Sequence, residues 1–250
     1  MGAGGKKVKG LDAILQLLQG IRLSIWRVGF CRNGANRRFR MTILLTFGDS
    51  NTHGTPPILA LGEYRRFDAA TRWSTRVAAE LGCALAEEGL PGRTAQFDDP
   101  VMGSHMNGQV GLKIALCSHG PIDVLTIMLG TNDVKARFCA TPEMVTGGIA
   151  GLLDIAQGVE MQTRHGGFKI VLICPPAVVE VGPIKAEFFG AAAKSQALAA
   201  PYAALAAARG VGFLDAGRVI EVSMIDGVHY DAASHAVLAP AVAQALRGMM

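Results

Sequence analysis

From Thr42 to the C-terminus the chain alternates short apolar runs with longer Ala- and Leu-rich stretches. That is how βαβ units read in sequence, because strands buried on both faces of a parallel sheet are near-continuous apolar runs. The pattern predicts strands over 43–47, 83–87, 122–129, 169–174 and 212–214, and helices over 68–81, 106–118, 141–159, 187–208 and 231–248. Thr141-Pro142-Glu143 offers an N-cap, a proline at the first helical position and an acid in the first turn. Asp231 can cap the last helix, and the Ala-rich run 191–208 reads most simply as one packed helix. Right-handed crossovers put helices on both faces, giving an α/β fold, a three-layer α/β/α sandwich with a five-stranded parallel sheet.

Residues 1–40 depart from this pattern. They hold nine Lys/Arg against the single acid Asp12, a net of +8, whereas residues 41–250 hold 15 Lys/Arg against 19 acids, a net of −4. A targeting or surface-binding amphipathic helix, an N-terminal extension, and an arm packing on a neighbouring subunit compete for this segment. Met41 directly precedes the first strand, which favours an extension outside the fold, with 41–250 as the single folded domain. The mildly acidic body offers no basic surface for a polyanion, so no nucleic acid is expected as a partner. No apolar run approaches the length that spans a bilayer, so no stable membrane insertion is expected. Five widely spaced cysteines (Cys31, Cys83, Cys117, Cys139, Cys174) form no C-x-x-C pair, which favours a reducing, cytoplasmic location.

Four stretches at predicted strand ends carry chemistry. The first is Gly48-Asp49-Ser50, where a hydroxyl follows an apolar strand at the end where open α/β sheets bind ligands. The others are the turn around Gly92, Gly130-Thr131-Asn132-Asp133, and Asp226-Gly227-Val228-His229. Each has a plain structural reading: turn glycine, helix-cap pair, capping histidine. All four arrive at one sheet edge, and together they supply a nucleophile, a base, an acid and oxyanion donors.

In these blocks the chain resembles the SGNH hydrolase superfamily, also called GDSL esterases, and the resemblance runs from about Thr42 to the C-terminus. Connecting text such as Asp98-Asp99-Pro100 and Met128-Leu129-Gly130-Thr131-Asn132-Asp133 is similar to the bacterial arylesterase and acyltransferase branch. The resemblance implies a flavodoxin-like SGNH hydrolase fold, a small-molecule ester as substrate, and a homo-oligomer. It also implies a catalytic triad of Ser50, Asp226 and His229. A serine hydroxyl is a poor nucleophile at neutral pH, so His229 accepts its proton and Asp226 fixes the imidazole tautomer. The N–H groups of Ser50 and Gly92 and the Asn132 amide form the expected oxyanion hole. Without a Gly-x-Ser-x-Gly elbow, Ser50 is expected on a looser turn than in α/β-hydrolases.

Near the site, His53 stands where the branch commonly has a bulky aromatic, and Pro91 where a small residue is usual. His53 and Lys135 are candidates for the substrate pocket, although a loop-capping His53 and a solvated Lys135 are the plainer alternatives. Asp49, Asp133 and Asp215 are read as loop-holding acids. Six histidines show no ligand spacing with cysteines or carboxylates, so no metal is expected, and no dinucleotide fingerprint or other cofactor motif is present. The expected activity is hydrolysis of short-chain, acetyl-type esters of aryl, alkyl or sugar alcohols. An acyltransferase moving the acyl group to alcohols, and a non-catalytic binding protein on the same fold, are the rivals.

Overall fold

The computed structural model describes residues 1–2 and 41–249. The segment read as an N-terminal extension therefore lies outside the described residues. From Met41 onward the contacts gather in one compact unit.

Five strands make the sheet: β1 (Ile43–Gly48), β2 (Ala84–Gly89), β3 (Val124–Met128), β4 (Lys169–Cys174) and β5 (Gly212–Asp215). They run in the order β2-β1-β3-β4-β5 and every pairing is parallel. This is the doubly wound, flavodoxin-like order, whose direction reverses beside β1 and opens a crevice at the strands' carboxyl ends. Side chains on a strand alternate faces, and the core divides accordingly. Leu45, Phe47, Leu125, Ile127, Ile170 and Leu172 pack on one side against Leu112, Ile149, Leu152 and Tyr202. Leu44, Val124, Val171 and Ile173 pack on the other against Trp73, Val77, Leu238 and Val242. These two apolar layers make the predicted α/β/α sandwich, each fully buried aliphatic side chain contributing roughly 1.5–3 kcal/mol.

The helices are α1 (Ser50–His53), α2 (Trp73–Leu81), α3 (Gly108–Ser118), α4 (Pro142–Gln157), α5 (Val159–His165), α6 (Ala191–Gln196), α7 (Ala199–Arg209) and α8 (Ala232–Arg247). Thr141 and Asp231 cap α4 and α8 as the sequence predicts, accepting from Met144 N and Ser234 N. Other expectations are corrected. The helix expected over 68–81 starts only at Trp73, because the Asp68 carboxylate accepts Thr71 N at 2.9 Å and holds a turn instead. The helix expected over 106–118 starts at Gly108, where Asn107 Oδ1 accepts Gln109 N. Extended Gly158 ends α4 and begins α5. The single helix expected over 187–208 is three pieces: a 3-10 turn over Lys185–Phe188, then α6 and α7. Gly190 at φ +72° separates the first two, and buried Leu198, packed beside Tyr202, re-aims the chain between the others.

Candidate active site

β1 delivers Ser50 directly into the crevice, where the residue opens the one-turn helix α1. The entry is tight: a Cβ on Gly48 would lie 2.0 Å from Thr52 Oγ1, so only glycine lets the strand turn there. Asp49 caps the turn, its Oδ1 accepting Asn51 N at 2.9 Å, and left-handed Gly54 closes it at φ +85°. As the first residue of α1, Ser50 has a backbone N–H with no acceptor within the helix.

The loop before α8 faces this hydroxyl. His229 Nε2 is 3.0 Å from Ser50 Oγ, and His229 Nδ1 is 2.6 Å from Asp226 Oδ2. Asp226 Oδ1 accepts the backbone N–H groups of Val228 and His229 at 3.0 Å, while Oδ2 also accepts Ile58 N at 2.7 Å. Burial works to raise the Asp226 pKa, but the His229 hydrogen bond and charge together with these N–H donors outweigh it and hold the carboxyl below its usual range. An ionised carboxylate can only accept. Nδ1 therefore carries the imidazole proton and Nε2 is left to accept from the serine hydroxyl.

Gly92 and Asn132 line the same cavity of about 200 Å³ as Ser50 and His229. Pro91 and Gly92 occupy the centre of a turn closed by Arg93 N donating to Leu90 O at 3.0 Å, with Gly92 at φ +92°. That geometry requires φ > 0 at its third position, which is the physical reason for glycine there. A Cβ on Gly92 would also lie 2.6 Å from Met102 Cε. Asn132 Nδ2 donates to Arg93 O at 3.0 Å, and its other hydrogen faces Asp49 Oδ2 at a long 3.4 Å.

Lys135 also lines the cavity, and the solvated reading is corrected: the residue is only 7% exposed. Its ammonium pairs with Glu187 at 3.0 Å and lies 5.4 Å from the Phe188 ring, and burial lowers its pKa. Arg137 joins the same cluster, bonded to Glu187 at 2.9 Å and Asp99 at 2.6 Å. His53 is not among the lining side chains. Its Nδ1 is 3.2 Å from Thr55 Oγ1 and its Nε2 3.4 Å from the Tyr64 hydroxyl, and Thr55 and Tyr64 form the wall in front of it.

Asp133 holds its loop as expected, its carboxyl oxygens receiving Ala95 N at 2.9 Å, and Asp215 caps its turn by accepting Gly217 N. Burial raises Asp133 to about 7 and Asp49 to about 6. Sequence reasoning passed over Arg93 as a site element. Its buried guanidinium lies 4.2 Å over Phe47 and donates to Gly48 O at 3.0 Å and to Glu88 O, tying the ends of β1 and β2 beneath the site. Glu187, Phe188 and Tyr64 were missed as lining residues as well. Among the described residues no group of three or more His, Cys, Asp or Glu is arranged to hold a metal.

A parallel sheet in this order, with a hydroxyl–imidazole–carboxylate line at its carboxyl edge, defines an α/β hydrolytic architecture. A profile described as GDSL-like lipase/acylhydrolase family matches residues 46–237, and the chain belongs to that family, within the SGNH hydrolase superfamily. It is 34% identical to the native aryl esterase of M. smegmatis, with a TM-score of 0.78, the match covering 84% of this chain and 100% of that one. The same identity, TM-score and coverage are found for Est24, a carbohydrate acetylesterase from Sinorhizobium meliloti. A carbohydrate acetylesterase family member from Sinorhizobium meliloti matches at 30% identity and a TM-score of 0.77, over 84% of this chain and 99% of that one. No match is found among curated proteins. The chain is a carboxylic ester hydrolase of the GDSL type. No helix among the described residues is long and apolar enough to cross a membrane.

Proposed function

We propose that this esterase works through an acyl-serine intermediate on Ser50, and the observation carrying the proposal is the continuous line Ser50 Oγ–His229 Nε2–Nδ1–Asp226 Oδ2 at 3.0 and 2.6 Å. His229 takes the serine proton as Oγ attacks the ester carbonyl and returns it to the departing alkoxide. Asp226, ionised, stabilises the imidazolium formed in between. The N–H groups of Ser50 and Gly92 and the Asn132 amide receive the oxyanion. Water then attacks the acyl-serine with His229 as base.

The substrates are short-chain, acetyl-type esters of aryl, alkyl or sugar alcohols. A cavity of about 200 Å³ supports a small acyl group, being smaller than the roughly 300–1,000 Å³ that accommodates drug-sized ligands. The names of the relatives, an aryl esterase and carbohydrate acetylesterases, support both kinds of leaving alcohol. Hydrolysis is favoured over transfer to alcohols because Glu63, Lys135 and Glu187 line the cavity, and charged walls retain water that an acyltransferase must keep from the acyl-serine. Four described cysteines are free, which supports the reducing, cytoplasmic setting, and a homo-oligomer remains part of the proposal on the strength of the family resemblance.

The test is a fluorophosphonate probe followed by peptide mapping. The proposal expects a single adduct on Ser50 that is lost in His229→Ala; an enzyme that hydrolyses aryl acetates while Ser50 stays unlabelled contradicts it.

A further inference from the structure

Asn51 follows the nucleophile directly and is buried, yet its side chain serves a distant part of the chain. Its Nδ2 donates to Val228 O at 3.2 Å, and its Oδ1 accepts Tyr230 N at 3.2 Å. Those two backbone groups flank His229 on either side. They also fix which end of the amide is which, since a carbonyl needs a donor and an N–H needs an acceptor. The peptide groups of His229 itself are held elsewhere: its N–H by Asp226 Oδ1 at 3.0 Å and its carbonyl by Ser223 N at 2.9 Å. Asn51 is itself anchored, its N–H by Asp49 Oδ1 at 2.9 Å and its carbonyl by Trp73 Nε1 at 3.1 Å.

We infer that Asn51 is a positioning residue that sets the distance between nucleophile and base. The inference rests on the reading of Ser50 and His229 as that pair. One planar amide, separated from Ser50 by a single peptide bond, grips the backbone before and after His229, so α1 and the His229 loop cannot drift apart without breaking both bonds. An apolar residue here would fill the space and leave Val228 O and Tyr230 N without this partner, and the imidazole would be free to shift from the serine. Proton transfer to Nε2 depends on that gap, whereas Asn51 itself is not among the residues that line the cavity, whose walls away from Ser50 and His229 are built by residues such as Tyr64, Met102 and Phe188. Acylation should therefore suffer more than substrate binding.

The experiment uses the full chain with Asn51→Leu, of nearly the same size but without polar atoms, and Asn51→Asp, which keeps the acceptor and loses the donor. With p-nitrophenyl acetate, kcat is expected to fall about tenfold or more while KM stays within about twofold, since misplacing reacting groups by an ångström costs up to about a hundredfold. Fluorophosphonate labelling of Ser50 should slow in step. Thermal unfolding identifies the variants that fold, and if N51L does not, N51D carries the test. Unchanged kcat in a folded variant, or an effect confined to KM or the melting temperature, overturns the inference. Wild-type enzyme labelled at Ser50, with variants labelled equally fast, overturns the inference alone; wild-type enzyme not labelled at Ser50 removes the catalytic reading and the inference with it.

Discussion

Asn132 sits where the oxyanion account meets the packing, with one amide hydrogen committed to Arg93 O at 3.0 Å and the other 3.4 Å from Asp49 Oδ2. A bond that long is weak, so the hydrogen aimed at Asp49 is the one left to receive a developing oxyanion. Asn132→Ala should lower kcat by about a hundredfold to a thousandfold with KM little changed, because the donor acts on charge present only in the transition state. Steady-state kinetics on p-nitrophenyl acetate check this, and a loss carried by KM alone would count against the role. At this scale much was legible in the sequence: Ser50, Asp226 and His229 stand in one hydrogen-bonded line, and Gly92 and Asn132 share their cavity. Lys135 was not, since its burial depends on Glu187 and Phe188 reaching it from a distant segment. Nor was Arg93, whose guanidinium is placed by carbonyls at two strand ends.

Among the elements, β4 matches its predicted range in full, and the remaining strands fall within two residues of theirs. A strand buried on both faces has no choice but to be apolar. Helix ends were less legible because they are set by tertiary bonds. Ser195 in α6 accepts Val178 N at 3.0 Å, an attachment that no local pattern in an alanine run foretells. The loop after β3 carries a testable consequence in Asp133, raised by burial from 3.8 to about 7. A carboxyl with a raised folded value binds its proton more tightly when folded, so its stabilising effect is present at low pH and is lost as pH rises from about 4 to about 7. The loss is on the order of 4 kcal/mol as an upper figure, shared with neighbouring Asp49, which is raised to about 6. Asp133→Asn keeps an acceptor for Ala95 N and cannot ionise. Its melting temperature should decline less steeply than the wild type's between pH 4 and 7, and parallel curves would show that Asp133 does not titrate there.

At the scale of the whole molecule, the site and both apolar layers, as far as the described residues make them, are built from the segment after residue 40. The M. smegmatis aryl esterase is matched over its full length by 84% of this chain. A protein shortened to residues 41–250 should therefore keep kcat/KM for aryl acetates within about twofold, as a domain with its own core folds alone; a larger loss would give residues 1–40 a part in the catalytic fold. The basic character of that segment was plain from sequence, but its role was not, since charge alone does not separate an extension from a surface-binding arm.

The central claim is that Ser50 carries the acyl group between two half-reactions. It is tested most directly by comparing kcat/KM of wild type and Ser50→Ala on p-nitrophenyl acetate, with melting temperatures establishing that both are folded. The structure predicts a fall of about a thousandfold or more, as expected when a nucleophile that acts as a unit with its base and acid is removed. A folded Ser50→Ala enzyme working at the wild-type rate would contradict it.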